Sequence, residues 1–264
     1  MTRRSVDLQG GPVEYEWFGP TVADAARPVA ILLHEGLGCI DLWRDFPERL
    51  AEALDCRVLA YSRHGYGGSG PCDLPRPVTY MHHEAQAVLP ELLGALGVDR
   101  YLLVGHSDGG SIALIHGGGP ADPGLVGIVM LAAHIFNEPI NQIEITRARQ
   151  AYETGGLKDA LAKYHGANTE CAFRGWSEAW LSDAFKGWNL ESFLPRIQVP
   201  CLVMQGISDA YGTEEQVQGI EAGLTVPNTI IMLPDCGHAI HRDQPDRLLG
   251  AIRDFASGLK GMQN

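Results

Sequence analysis

The sequence lacks any long apolar run and any cluster of basic residues. No stretch of about 18 apolar residues occurs, which argues against a transmembrane helix, and no apolar segment follows Arg3 and Arg4 as it would in a secretory signal. Lysine and arginine number 20 against 32 aspartates and glutamates, a formal net charge of −12. No basic surface is therefore expected to attract phosphate backbones or anionic lipid. We expect a soluble, cytoplasmic protein that binds neither nucleic acid nor membranes.

Cysteine and histidine are too scattered to indicate a disulfide framework or a metal site. The six cysteines contain no C-x-x-C pair, and several fall in apparent core strands such as CLVMQ. We expect reduced, structural thiols. The pairs His82–His83 and His238/His241 lack the Cys, Asp or Glu company at ligand spacing that zinc requires. The sequence therefore predicts no metal and no other cofactor.

Short apolar runs rich in β-formers alternate with helical patterns along the chain. Runs that are apolar at nearly every position are typical of parallel strands covered on both faces, and their alternation with helices predicts one wound α/β sheet. The alternation stops between about Ala133 and Pro195, where helical stretches rich in Trp and Phe intervene. We predict a helical lid at residues 134–195, inserted into a core formed by 1–133 and 196–264. The apolar runs are PVAILL, RVLAYS, YLLVG, LVGIVML, CLVMQG and TIIMLP.

Gly65, Gly67 and Gly70 match the G-x-G-x-x-G of a dinucleotide-binding loop directly after the run RVLAYS. Such a loop needs its last glycine to lead into a helix whose N-terminus faces the pyrophosphate. Here the chain continues as PCDLPRP, and three prolines in seven residues cannot continue a helix. We interpret the glycines as a flexible turn and predict no dinucleotide binding.

The strongest chemical signal is G-x-S-x-G at residues 105–109, between the run YLLVG and the helical pattern GSIALIHGG. Between a strand and a helix this motif predicts a nucleophile elbow, which presents its serine at the edge of the sheet. The turn forces Ser107 towards positive φ, and a Cβ at Gly105 or Gly109 would collide. We therefore predict Ser107 as a nucleophile.

Two downstream residues can complete a catalytic triad with this serine. The hydroxyl needs a neutral imidazole to accept its proton, and the imidazole needs a carboxylate to orient it. Asp209 follows the run LVMQG, and His238 lies in the loop after IIMLP. Glu138, in the loop after LVGIVML, is the second candidate acid. His241 fits a helix start or a surface position better than a catalytic base.

The oxyanion that forms when serine attacks a carbonyl needs N–H donors, each contributing about 3 kcal/mol. The amide of Asp108, at the start of the elbow helix, is the first predicted donor. The loop HEGLG should supply the second, with Gly36 as first choice and Leu37 as second, although its glycines also fit a structural turn.

A stripe of aromatic residues in the predicted lid is a candidate substrate surface. Phe173, Trp176 and Trp180 recur at i, i+3 and i+7, with Trp188 beyond them. The stripe either lines an apolar pocket for an acyl or aromatic group or packs the lid against the core. Trp176 and Trp180 are the predicted substrate contacts.

Five segments of the chain follow one another in a known order: HEGLG, SRHGYGGS, GHSDGG, QGISDAYG and CGHAIHRDQP. With them the chain resembles the α/β-hydrolase superfamily over nearly its whole length. The resemblance implies the α/β-hydrolase fold: a mostly parallel wound sheet with helices on both faces, and a helical lid inserted before the strand that carries the catalytic acid. The family's usual His-Gly pair is His34–Glu35 here, so Glu35 either holds a water or a substrate group or is a solvated loop carboxylate.

The resemblance implies a cofactor-free serine hydrolase that cleaves a small carboxylic ester, thioester or lactone through an acyl-enzyme. Haloalkane dehalogenases and epoxide hydrolases share the fold but attack with aspartate at the elbow, so Ser107 excludes their substrates. Two alternatives stay open: a C–C bond hydrolase or lyase on the same triad, and a ligand receptor with the hydrolase fold. The expected partner is a small-molecule acyl substrate, and a homodimer is the candidate assembly.

Overall fold

The computed structural model describes residues 3–20 and 27–262. The rest of the predicted core, residues 1–2, 21–26 and 263–264, lies outside the described residues. Within these ranges one sheet contains eight strands: β1 (Arg4–Leu8), β2 (Gly11–Phe18), β3 (Val29–Leu33), β4 (Val58–Tyr61), β5 (Tyr101–His106), β6 (Leu125–Leu131), β7 (Cys201–Gly206) and β8 (Asn228–Leu233).

The sheet is mostly parallel, as expected for an α/β-hydrolase fold. Its strand order is β1-β2-β4-β3-β5-β6-β7-β8. Strands β3 to β8 pair in parallel, whereas β2 pairs antiparallel with both β1 and β4. All six predicted apolar runs form strands. The antiparallel β1 and β2 contain polar residues, among them Asp7 in β1 and Glu14 in β2, and were not indicated by an apolar run.

Helices cover both faces of the sheet because the central strands bury side chains on both sides. In β5, Leu102 belongs to one hydrophobic cluster, with Leu50 and Ile252, while Leu103 belongs to the other, with Leu92 and Ile112. The described helices are α1 (Phe46–Leu54), α2 (Tyr80–His83), α3 (Leu89–Leu96), α4 (Asp108–Gly117), α5 (Pro139–Thr154), α6 (Leu157–His165), α7 (Thr169–Trp180), α8 (Glu214–Gly223), α9 (Ile240–Asp243) and α10 (Pro245–Ser257).

The segment between β6 and β7 contains α5, α6 and α7, and we call it the helical insertion. The helical insertion is hydrogen-bonded to the glycine-rich turn after β4. The amide of Gly67 donates to Nδ1 of His165 at 3.1 Å, and Nε2 of His165 donates to the carbonyl of Leu37 at 3.1 Å. Asn168 donates to the carbonyls of Gly67 and Ser69 at 3.1 and 2.7 Å. The glycines that resemble a dinucleotide loop thus hold the start of α7.

Candidate active site

The nucleophile elbow lies between β5 and α4, where the sequence predicts it. Ser107 has φ of 54° and ψ of −117°, a conformation that L-residues rarely adopt. The turn is tight enough that a Cβ at Gly105 would collide with the backbone of Gly109, and a Cβ at Gly109 would collide with the carbonyl of Leu33. Both flanking glycines are therefore required by the close approach of the backbone. The surrounding structure holds Ser107 at the carboxyl edge of the sheet.

Asp209 and His238 form a hydrogen-bonded pair on the loops after β7 and β8. Nδ1 of His238 lies 2.9 Å from each carboxylate oxygen of Asp209, and Oδ1 also accepts a hydrogen bond from the amide of Tyr211 at 2.8 Å. Burial opposes ionisation of Asp209, but the His238 ring and the Tyr211 amide outweigh it, so the pKa of Asp209 is lowered. An ionised Asp209 can only accept, which places a proton on Nδ1 and leaves Nε2 as the basic nitrogen.

Glu138 is engaged elsewhere, at the start of α5. Its carboxylate accepts hydrogen bonds from the amide and hydroxyl of Thr213 and from Nε2 of Gln216, the last at 2.6 Å. Its backbone amide donates to the side chain of Asn141 at 2.7 Å. The second candidate acid thus ties α5 to the start of α8, and the carboxylate that meets Nδ1 of His238 is that of Asp209.

His241 takes one of the two positions that the sequence allowed. It lies at the start of a helix, α9, as expected, but it is 6% exposed and is not a surface residue. Its ring packs 4.9 Å from the ring of Trp43 and 5.2 Å from the ring of His106. Burial, assisted by the neighbouring His106, lowers the pKa of His241 to about 3. His241 is therefore a neutral packing residue behind the site at physiological pH.

Glu35 is not a solvated loop carboxylate. Its side chain is 19% exposed, and Oε2 lies 3.5 Å from Nδ1 of His106. Burial disfavours its charge, but His106, His241 and His34 outweigh that cost and hold the pKa of Glu35 well below its usual range. His106 in turn donates from Nε2 to the backbone carbonyl of His238 at 2.8 Å. One imidazole thus connects the predicted oxyanion loop with the loop that carries the predicted base.

The candidate active-site cavity has a volume of about 270 Å³ and brings together Ser107 and His238. Of the predicted substrate contacts, Trp176 and Trp180 lie in its wall, together with Glu35, Gly36 and Leu37. The cavity also contains residues that the sequence analysis did not single out: His106, His134, Asn141, Ile145, Tyr211, Ala239 and Arg242.

The aromatic stripe divides between the cavity and the packing of the helical insertion. Trp176 and Trp180 line the cavity, but Phe173 stacks on Tyr152 with ring centroids 3.8 Å apart. Trp188 stacks on Phe185 at 4.9 Å. Both expected uses of the stripe occur, because successive positions of α7 face the cavity and the interior of the insertion.

Asp108 connects the elbow to the helical insertion through hydrogen bonds of its side chain. Its side chain is fully buried and accepts a hydrogen bond from the hydroxyl of Tyr80. That hydroxyl accepts from Nε1 of Trp180 at 3.0 Å, and Arg63 lies 3.9 Å from the carboxylate. The predicted oxyanion donor therefore belongs to a residue whose side chain is linked through Tyr80 to Trp180, which lines the cavity.

Adding a methyl group at Gly36 should disturb the predicted oxyanion loop. A Cβ there would overlap the indole of Trp176, which is itself buried, so either the loop or the ring must move. We expect Gly36→Ala to lower kcat/KM by about 10²-fold, the usual effect of a displacement near 1 Å in a catalytic constellation. Gly187→Ala is the matched control, since no atom lies within 4 Å of a Cβ at that position. Equal activity of the two variants would contradict a role of the Gly36 loop in the active site.

The described residues show no metal cluster and no membrane span. In ranges 3–20 and 27–262, no three or more His, Cys, Asp or Glu side chains are arranged to hold a metal ion. Among the helices of the same ranges, none combines the length and apolarity needed to cross a bilayer. All six cysteines are free.

A family comparison identifies the chain at the level of its superfamily. The model described as the Alpha/beta hydrolase family matches residues 30–251, which include the elbow, Asp209 and His238. The chain belongs to the alpha/beta hydrolase family. The recognition from sequence motifs is therefore confirmed, and the chain is placed in a family of hydrolases.

Individual relatives within the family are distant and chemically diverse. The chain is similar to N-formylmaleamate deformylase of Pseudomonas putida, at 25% identity over 238 residues covering 81% of this chain and 82% of that protein. It is also similar to Epoxide hydrolase 3 of Xenopus tropicalis, at 25% identity covering 88% of this chain and 72% of that protein. The enol-lactonase structure from Burkholderia xenovorans superposes with a TM-score of 0.72 at 20% identity, covering 96% of this chain and 99% of that one, a likeness that shows the fold alone.

Proposed function

We propose that this protein is a serine hydrolase of small carboxylic esters, thioesters or lactones, acting through an acyl-enzyme. The observation that carries the proposal is the pairing of His238 Nδ1 with Asp209 at 2.9 Å beside a cavity that also contains Ser107. That pairing fixes the tautomer in which Nε2 is free to accept a proton. Ser107, at the strained elbow, is then the hydroxyl available to give one.

The reaction follows from the roles of these three side chains. Nε2 of His238 takes the hydroxyl proton while Oγ of Ser107 attacks the substrate carbonyl, and the amide of Asp108 with that of Gly36 or Leu37 binds the oxyanion. The tetrahedral intermediate collapses, and the leaving group departs with the proton from Nε2. Water then attacks the acyl-serine with His238 again as base, which releases the acid and restores the hydroxyl. Asp209 stays ionised and stabilises the imidazolium in both steps.

The nucleophile limits the substrate class to compounds with an electrophilic carbonyl. A serine that opened an epoxide would form an ether, and an ether has no carbonyl that water could attack to regenerate the enzyme. An acyl-serine is an ester and turns over. The similarity to Epoxide hydrolase 3 therefore does not extend to its substrate. The deformylase relative adds a formyl amide to the carbonyl compounds worth testing.

A substrate panel with intermediate trapping tests this proposal. Short aryl esters, a thioester, an enol-lactone, an N-formyl amide and a diketone are incubated with the enzyme, quenched in acid and examined by peptide mass spectrometry. The proposal expects turnover of at least one carbonyl compound and an acyl adduct on Ser107. Turnover restricted to a C–C bond of a diketone would favour the C–C hydrolase alternative. Binding without turnover or adduct would favour a ligand receptor.

The rate should fall in acid through a single protonation. His238 must be neutral to accept the proton from Ser107, so kcat/KM for a non-ionising ester should rise with pH to a plateau. Asp209 adds no second step because its lowered pKa keeps it ionised. Burial lowers the pKa of His241 to about 3, so that ring does not charge in this range, and burial lowers the pKa of His134 as well. Measured between about pH 5 and 8, a flat profile would contradict His238 as the base.

A further inference from the structure

Arg242 is a charged residue of the cavity that the proposed mechanism does not use. It lies in α9, four residues after His238, and contributes to the wall of the cavity that contains Ser107. It is exposed, and its Nη2 donates a hydrogen bond to the carbonyl of Leu42 at 3.3 Å. Among the described residues, no carboxylate lies within 4.0 Å of it to form an ion pair, and no other lysine or arginine lines this cavity.

The wall around Arg242 contains one carboxylate, polar side chains such as Asn141 and Tyr211, and an apolar part. The carboxylate comes from Glu35 on the predicted oxyanion loop and lies 3.5 Å from His106. The apolar part comes from the helical insertion, through Ile145, Trp176 and Trp180. Within this wall Arg242 attracts a substrate carboxylate and Glu35 repels one, so the carboxylate of a bound substrate is expected at Arg242.

We propose that Arg242 makes the site selective for acyl substrates that carry a carboxylate away from the reacting carbonyl. The inference rests on the proposed serine hydrolase function and names its substrate class. A guanidinium stays charged at all working pH values and offers paired N–H donors that match the two oxygens of a carboxylate. The one hydrogen bond to Leu42 leaves the other donors of Arg242 available for that contact.

The size of the cavity and the charge of the chain agree with a small anionic substrate. The cavity volume of about 270 Å³ lies just under the roughly 300–1,000 Å³ of most small-molecule sites. The chain carries a formal charge of −12, so its general field repels anions and does not by itself attract them. A preference for a carboxylate must therefore arise locally, and Arg242 is the side chain placed to provide it.

Matched pairs of substrates test the inference with the carboxylate on either side of the scissile bond. One pair is 4-acetoxybenzoate and its methyl ester, methyl 4-acetoxybenzoate. The other is the mono-4-nitrophenyl ester of adipic acid and 4-nitrophenyl hexanoate. For each pair the measured quantity is the ratio of kcat/KM for the anionic over the neutral compound, after subtraction of spontaneous hydrolysis. The wild type should favour the anionic compound in at least one pair.

Arg242→Gln should lower that ratio by about tenfold or more, mainly through a higher KM for the anionic compound, because a charge-assisted contact is lost. Arg242→Lys should retain part of the preference, since it keeps the charge but not the paired donors. Arg247→Gln removes the same charge from an exposed arginine outside the cavity wall, bonded to Gln244 at 3.1 Å, and should leave the ratio unchanged.

The outcomes separate the inference from the function on which it rests. Hydrolysis of the pairs with a ratio that Arg242→Gln does not change, or that Arg247→Gln lowers equally, overturns the role of Arg242 and leaves the serine hydrolase intact. Absence of any ester hydrolysis together with no acyl adduct on Ser107 overturns the proposed function and this inference with it. A ratio lowered by Arg242→Gln alone supports the selection of carboxylate-bearing substrates.

Discussion

Replacing Ser107 with alanine is expected to lower kcat for ester hydrolysis by about 10⁴-fold or more, with the fold and the melting temperature nearly unchanged. The loss is large because the nucleophile, base and acid act as one unit, so removing the hydroxyl disables all three. Stability should hold because alanine accepts the same backbone strain as serine, and the tight approach of the elbow depends on Gly105 and Gly109. Steady-state kinetics and a thermal melt on the same preparation make the measurement.

Ser208→Ala is the control for this prediction. Ser208 is exposed on the loop after β7, next to Asp209, and the variant loses the same hydroxyl outside the cavity wall. Its kcat should stay within about twofold of the wild type, as surface substitutions usually do. Ester turnover that survives in Ser107→Ala at more than a hundredth of the wild-type rate would assign the nucleophile elsewhere.

The second large effect is expected at the acid. Asp209→Asn should lower kcat by about 10³–10⁴-fold, because an amide donor facing the ring favours the tautomer with the proton on Nε2 and leaves no base towards Ser107. The change is nearly isosteric, so Oδ1 can still accept from the amide of Tyr211 and the loop should keep its shape. The comparison of kcat with the melting temperature distinguishes loss of the base from loss of the fold.

Glu138→Gln is the matched change at the other carboxylate that the sequence allowed. Its carboxylate joins α5 to the start of α8 through Thr213 and Gln216, so the variant loses charged hydrogen bonds there. We expect it to lower the free energy of unfolding by about 1–3 kcal/mol and to leave kcat within a few fold of the wild type. An equal or greater loss of kcat in Glu138→Gln than in Asp209→Asn would reassign the acid.

The elbow and the acid–base pair could be predicted because each has a local signature. Gly105 and Gly109 are required by the backbone geometry of this strand-to-helix turn, and the nucleophile Ser107 lies between them. Asp209 and His238 follow β7 and β8 directly, and parallel strands deliver such residues to one edge of a sheet. The pairing at 2.9 Å joins residues 29 positions apart in sequence, yet the order of strands already implied it.

The surroundings of the pair could not be predicted because they depend on side chains meeting across loops. Glu35 and His106 are 71 positions apart and meet through a 3.5 Å contact that no spacing reveals. His241 has the polarity of a surface residue but is buried against Trp43, which lies far away in sequence, in the short 3₁₀ helix Ile40–Trp43. His134 and Tyr211 did have a usable signal, since each follows the end of a central strand, β6 or β7, where active-site residues of α/β sheets gather.

Two regions of the chain show how packing decides what a pattern leaves open. The antiparallel β1 and β2 contain polar residues, among them Asp7 and the buried Glu14, so neither forms an apolar run of the kind that indicates a buried strand. On α7, Phe173 and Trp176 are three residues apart, yet the first stacks on Tyr152 and the second lines the cavity. Helical periodicity predicts that both side chains are buried. The position of α5, which carries Tyr152, decides that Phe173 packs inside the helical insertion while Trp176 faces the cavity.

Covalent labelling with a fluorophosphonate probe tests the central claim most directly. The probe reacts only with a serine that an adjacent base has activated, and peptide mapping identifies the residue that carries the phosphonate. The account predicts one adduct, on Ser107, formed by the wild type and by Glu138→Gln, abolished in Ser107→Ala and strongly slowed in Asp209→Asn. Folded wild-type protein that stays unlabelled, or an adduct that maps to any serine other than Ser107, would contradict it.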